Sequence, residues 1–142
     1  MSAGLKALAA AEGLENRIVF AGRIPDEELP AYYHAAEVFC LPSLELSEAF
    51  GLVQVEAMAC RKPVISCELG NGVSYVNKTG VTGLVVPPRD PRALAHALNR
   101  LLEDGALRKK MGDAGHARVK REFTLENMWN GTLRVYREIA CG

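Results

Sequence analysis

No stretch of the 142-residue chain approaches the roughly 18 consecutive apolar residues of a membrane-spanning helix, and Lys6 and Glu12 break up the alanine-rich amino terminus that a secretion signal would need. A cytoplasmic protein is therefore expected. An excess of one charge is missing too: Lys plus Arg and Asp plus Glu each number 17, so net electrostatics favour neither nucleic acid nor a membrane. None of the four cysteines, Cys40, Cys60, Cys67 and Cys141, forms a CxxC pair. Cys40 and Cys67 fall inside apolar runs, where a thiol in a reducing compartment acts as a small buried hydrophobe. His34, His96 and His116 are spread over separate predicted helices, which argues against a metal site or a catalytic triad. Internal repeats and low-complexity segments are absent. Asn77-Lys-Thr79 and Asn130-Gly-Thr132 match the glycosylation pattern, but without a secretion signal they read as chance.

What remains is apolar material amounting to 49% of the residues, enough for one globular domain that buries roughly two-thirds of its unfolded surface. Leu5 to Leu14 reads as a helix ending at Gly13 or just beyond, with Leu5, Leu8 and Ala9 on one face. Asn16 to Gly22, NRIVFAG, reads as a short buried strand. Asp26 is expected to cap the next helix, with Glu27 and Glu28 in its first turn and Tyr32, Tyr33 and Ala36 beyond. That first turn accounts for the three acids more simply than a metal would.

Two further apolar runs, Glu37-Val-Phe-Cys-Leu-Pro42 and Pro63-Val-Ile-Ser-Cys67, flank a segment from about Gly51 to Ala59 whose apolar groups, Leu52, Val55, Met58 and Ala59, recur at helical spacing. Strand, loop, helix, strand is the pattern of a parallel crossover. Thr82-Gly-Leu-Val-Val-Pro87 supplies another strand, and Asp90-Pro91 opens a helix carrying Leu94, Leu98, Leu101 and Leu102. Arg108, Lys109, Lys110, Arg118, Lys120 and Arg121 could meet an anionic membrane or nucleic acid, but Asp113, Glu122 and Glu126 interrupt them and a solvated helix face is the simpler reading. Thr124 is expected to cap a last helix whose stripe of Met128, Trp129, Leu133 and Tyr136 reads as packing.

Chemistry concentrates between the first two of these strands. Glu48 stands in the turn at the mouth of the central helix, and Glu56 lies about two turns further on, at most roughly 12 Å away at 1.5 Å of rise per residue. The amides of a helix's first turn have no partner inside the helix and can donate to ligand hydroxyls or phosphates, and Gly51 allows close approach to the main chain. A carboxylate deeper in can accept both hydroxyls of a ribose. Spacing alone favours the plainer reading, a first-turn Glu48 suited to the helix dipole and a solvated Glu56. After the second strand, Glu68-Leu-Gly-Asn-Gly72 lies at a carboxyl end, where open α/β sheets bind ligands; its two glycines can form an anion-accepting turn or a plain one.

Glu48-Ala-Phe-Gly-Leu-Val-Gln-Val-Glu56-Ala-Met-Ala followed by Lys62-Pro-Val-Ile-Ser66 resembles the signature of the family 4 glycosyltransferases, retaining enzymes of the GT-B fold. The resemblance implies a partial doubly wound α/β sheet of about four parallel strands flanked by helices. It makes residues 1–142 an incomplete carboxyl-terminal, nucleotide-sugar-binding domain. Glu48 becomes the catalytic-site acid, Ala49, Phe50, Gly51 and Leu52 hold the donor sugar, and Glu56 with Arg23 and Ile24 binds the nucleotide. Gly70, Asn71 and Gly72 form the phosphate loop, with Ser74 capping the short helix after it. Arg61 stands where that family usually has glycine, at the cost of a helix-ending residue.

The resemblance also places the chain's start within the helix before the third of six strands ordered 3-2-1-4-5-6. Two strands, the Arg and Lys that hold the diphosphate, and the acceptor domain, onto which the family's terminal helix crosses back, would then lie outside it. Ile18 to Ala21 would have to pair with Val38 to Leu41, pair with another copy, or fray; a rearranged or intermolecularly completed sheet is the expectation.

The function implied is retaining transfer of a sugar from a UDP-, GDP- or ADP-sugar to a hydroxyl on a sugar or lipid-linked acceptor, with no metal or other cofactor, no protein nucleophile and no nucleic acid partner. The compartment would be the cytoplasm, extending to the inner membrane surface. The rival reading is a non-catalytic nucleotide-binding or assembly module. A response-regulator-like domain would need an acid after the first strand, where Gly22 and Arg23 stand.

Overall fold

The computed structural model describes residues 2–140; Cys141 lies outside them. The first helix, α1 (Ser2–Ala11), stops as its sequence demands: Gly13 takes a φ of 66°, Leu14 N–H reaches Ala9 O and Gly13 N–H reaches Ala10 O, the double bond of a glycine-terminated helix. The stretch from Ile18 to Ala21 forms no strand. Val19 is 90% exposed, and Ile18 and Phe20 lean toward Leu5, Leu8 and Ala9 around an open cleft of about 390 Å3. Neither a rearranged pairing with residues 38–41 nor any other ladder satisfies its main chain among the described residues. Apolar content made this segment strand-like; a strand also needs a neighbour, and none stands beside it.

Asp26 does not cap the second helix. Residues 25–28 form a turn in which Glu28 and Leu29 both donate to Pro25 O, and α2 (Leu29–Ala35) begins behind Glu28 without any side-chain cap. The sheet consists of β1 (Phe39–Leu41), β2 (Val64–Cys67) and β3 (Gly83–Val86), all parallel in the order β1-β2-β3, with Phe39 opposite Val64 and Val64 opposite Gly83. Three strands replace the four expected, since 18–21 drops out. Between them run α3 (Leu52–Ala59) and α4 (Gly72–Val76); α5 (Pro91–Glu103), α6 (Gly105–Glu122) and α7 (Leu125–Ala140) follow.

Alternation along the strands builds two cores. Ile65, Cys67, Leu84 and Val86 pack with Ala97, Leu101 and Met111, whereas Val64 on the opposite face joins Tyr33, Ala57, Met58 and Val76. Asp90 accepts from Ala93 N–H and Pro91 opens α5, as the sequence predicts; Thr124 likewise accepts from Asn127 N–H at the head of α7. Helix α3 ends through the same double bond as α1, Lys62 N–H to Ala57 O and Arg61 N–H to Met58 O, but with an arginine at the left-handed position, φ 59°. The helix therefore ends where a glycine would have ended it. A non-glycine residue is strained there by about 1–2 kcal/mol, and the Arg61 guanidinium pairs with Asp113 of α6 at 2.6 Å.

Four of the six basic residues between 108 and 121 are paired within the chain, and Lys110 and Lys120 are exposed, as on a solvated helix face. Arg108 pairs with Glu37 and with the last carbonyls of α5, Lys109 with Asp113, and Arg118 and Arg121 with Glu122. The α7 stripe packs on nothing among the described residues: Met128, Trp129 and Tyr136 are exposed, and no residue of α7 is buried. Among the described residues no helix is long and apolar enough to cross a membrane.

Candidate functional site

Two loops leave the carboxyl ends of adjacent strands, residues 42–51 after β1 and 68–71 after β2. Glu48, half-buried, lies in the first. Gly51 takes φ 72° and heads α3 with no side chain capping it, so the amides of Leu52 and Val53 keep their donors while Gln54 N–H turns back to Gly51 O. The second loop folds against the first. A Cβ on Gly72 would collide with Ala49 O and stand 2.9 Å from Phe50 Cα, so only glycine permits this approach.

Asn71 spans the gap. Its Oδ1 accepts from Val73 N–H at 3.0 Å, capping α4, and its Nδ2 donates to Glu48 O at 2.8 Å. Ser74, expected to be that cap, instead hydrogen-bonds Glu68 and accepts from Leu69 N–H. Glu68 also accepts from Gly70 N–H at 2.9 Å, so an anion does sit on the turn, and it is the chain's own. The Ser74 hydroxyl and then the Gly70 amide hold the Glu68 carboxyl below its ordinary value of 4.5.

The stability Glu68 contributes is complete above that unfolded value and lost as the pH falls through the lower folded one. Melting temperatures of the parent and Glu68→Gln should accordingly differ most at neutral pH and converge on acidification. Parallel curves down through the acid range would show that Glu68 adds nothing.

Behind the loops, Gln54 is fully buried. Its Nε2 points to Phe50 O and Val73 O, at 3.4 and 3.3 Å, and its Oε1 has no partner. Phe50 meets Phe123 edge-on at 6.0 Å, and Phe123 in turn meets Tyr75. Arg118 lies over both of these last two rings and donates to Tyr75 O at the end of α4.

Glu48, Ala49, Phe50, Gly51, Leu52, Gly70, Asn71 and Gly72 thus form one assembly. Glu56 belongs to the next turns of α3 and faces α2, where the Tyr33 hydroxyl donates to its Oε2 at 2.8 Å. The two border an open hollow of about 450 Å3 with Asp26, Leu29 and Cys60. Burial, then the bond to Glu56, pushes the Tyr33 hydroxyl far above its ordinary value, so it stays a donor throughout the working pH range. Arg23, exposed, and Ile24, half-buried, lie in the link before α2, and no hydrogen bond or ion pair among the described residues joins them to either acid. Burial raises the thiols of Cys40, Cys60 and Cys67, which makes them poor nucleophiles.

Sequence reasoning missed Gln54 and Tyr33. The first had a faint signal, a lone amide inside Leu52-Val-Gln-Val55; the second had none, because its bond to Glu56 joins two helices.

Residues 1–118 match the family of glycosyl transferases group 1. The chain is 42% identical over 124 residues to the D-rhamnosyltransferase WbpZ of Pseudomonas aeruginosa, covering 87% of this chain and 32% of that protein. It is 32% identical over 136 residues to the O-antigen chain mannosyltransferase C of Escherichia coli, covering 96% and 36%. It superposes on Anabaena HepE in complex with UDP-glucose with a TM-score of 0.84 and 28% identity, covering 94% of this chain and 36% of that one. The chain therefore spans about a third of the length of these proteins. A parallel sheet with paired carboxyl-end loops, the Glu48-to-Glu56 motif and a match over most of the length converge on one conclusion: the chain belongs to the glycosyl transferases group 1 family.

Proposed function

We propose that this chain supplies the donor-binding half of a retaining glycosyltransferase, which takes a sugar from a nucleoside diphosphate and passes it to a hydroxyl of a sugar or lipid-linked acceptor during polysaccharide synthesis. The observation that carries this reading is the uncapped first turn of α3, which follows directly on the loop that holds Glu48, a loop that Asn71 ties to the turn after β2. Donors that are already aimed stabilise charge as it develops on a departing phosphate without reorganising. Glu48 orients the sugar, and Glu56, held by Tyr33 through one oxygen, keeps the other for the ribose hydroxyls. The work is positional and electrostatic, and the reactants gain from being fixed in place. The relatives include a mannosyltransferase and a rhamnosyltransferase, and a structural neighbour holds UDP-glucose, in keeping with a hexose on a nucleoside diphosphate.

Melting the chain with UDP-, GDP- and ADP-glucose tests the reading. A ligand at a hundred times its Kd adds about 2.7 kcal/mol to stability, a rise of several degrees, and Glu56→Ala should abolish it. No shift with any of the three would leave the site without a donor.

A further inference from the structure

The two carboxyl-end loops are tied at one point closest to the acid. Within its own loop, the one hydrogen bond among the described residues that holds the Glu48 backbone is a turn bond from its N–H to Glu45 O at 3.2 Å, and Glu45 itself meets Arg89 at 3.4 Å with both side chains largely exposed. The remaining restraint on Glu48 is the Asn71 side chain, which grips the Glu48 carbonyl with one atom and the first turn of α4 with another. This planar amide is the hydrogen-bonded tie between the main chain of the acid and the turn that follows β2. The Gly72 contact and the buried Gln54 amide brace the same seam from behind.

We propose that Asn71 is a positioning residue that holds Glu48 at a fixed offset from residues 70–72, so that the site favours a nucleoside diphosphate that carries its sugar over the free diphosphate. This rests on the donor-binding reading, in which Glu48 serves the sugar while Glu56 and the first turn of α3 serve the nucleotide. Freeing the Glu48 carbonyl costs the sugar contact its geometry and leaves the nucleotide contacts in place. Selectivity between the two ligands is the quantity at stake, and general damage to the fold would weaken both alike.

Asn71→Ser isolates the tie. Serine caps a helix about as well as asparagine, so α4 keeps its cap, but its shorter side chain cannot hold the Val73 amide and also reach the Glu48 carbonyl. Two measurements apply to the full chain. Amide hydrogen exchange without ligand should quicken in residues 45–51 with the melting temperature unchanged. By calorimetry, the preference for UDP-glucose over UDP, or for GDP-mannose over GDP, should fall by roughly tenfold, the equivalent of one hydrogen bond to the sugar. Unchanged exchange in residues 45–51 overturns the tie without reference to any ligand. An unchanged preference overturns the positioning role. A parent chain that binds none of the four compounds refutes the donor site itself, and with it the purpose assigned to Asn71.

Discussion

Gly112→Ala is expected to cost the chain roughly 3 kcal/mol or more of stability, beyond the usual 1–3 kcal/mol for overpacking, because the obstacle is main chain rather than side chain. Gly112 is buried on α6, and a Cβ there would overlap Arg61 O and come within 2.8 Å of Arg61 C. Arg61 cannot step aside. It is locked in the left-handed conformation by the two hydrogen bonds that end α3, and its guanidinium is paired with Asp113 on the helix that would have to move.

Helix α6 would instead back away by about an ångström, since non-bonded carbon needs more than about 3 Å of clearance. Gly115, one turn on, already brings α6 close to Met58, whose side chain is fully buried, so the gap would run along the seam. A domain of ordinary stability, about 5–15 kcal/mol, would lose a large share of its margin. Urea titration of the parent, of Gly112→Ala and of Gly105→Ala, where a Cβ meets nothing closer than 3.7 Å, provides the comparison. A Gly112→Ala midpoint close to that of Gly105→Ala would mean that the helices are free to slide.

The second large effect falls on binding. Gly72→Ala puts a methyl group into Ala49 O and against Phe50, but here both partners are loop residues that can yield. Stability should drop by about 1–3 kcal/mol. If the proposed donor site is right, affinity for a nucleotide sugar should drop further, by about tenfold or more, because the loops that yield are those assigned to the donor and each hydrogen bond lost to a charged group costs about 1.5–3 kcal/mol. Calorimetric titration with UDP-glucose or GDP-mannose alongside the melting curve separates the two quantities. Equal losses in both, as for a merely unfolded fraction, would disprove the assignment of residues 49–52 to the donor.

The central crossover was legible because its signals are local and agree with one another. Strand-length runs end at Pro42 and Cys67, apolar groups recur at helical spacing from Leu52 to Ala59, and ligands gather where parallel strands end. Asp90-Pro91 and Thr124 announced their helices for the same reason. What stayed hidden depended on partners far along the chain. NRIVFAG has the composition of a strand, yet pairing is a property of neighbours, and none is present. The α7 stripe has the period of a packed face, but period cannot say whether anything packs on it. Asn71 and Ser74 are equally good caps by type; the helix begins at Gly72, which puts Asn71 at the cap and Ser74 inside the first turn, where it meets Glu68. Glu56 was visible as an acid, whereas its Tyr33 partner came from a helix 23 positions earlier.

The interior amide of Asn77 has a consequence for how the chain avoids wrong folds. Its Nδ2 lies within 2.9–3.1 Å of Val64 O, Ser66 Oγ and Leu84 O, and its Oδ1 accepts from the buried hydroxyl of Thr82. Shifting β3 by a single position along β2 would strand these groups in a dry interior, at about 1–3 kcal/mol for each one left unsatisfied. Strands of three or four residues discriminate poorly between correct and slipped alignments by apolar contact alone. The misaligned competitors are thus penalised through one polar side chain that tolerates a single alignment.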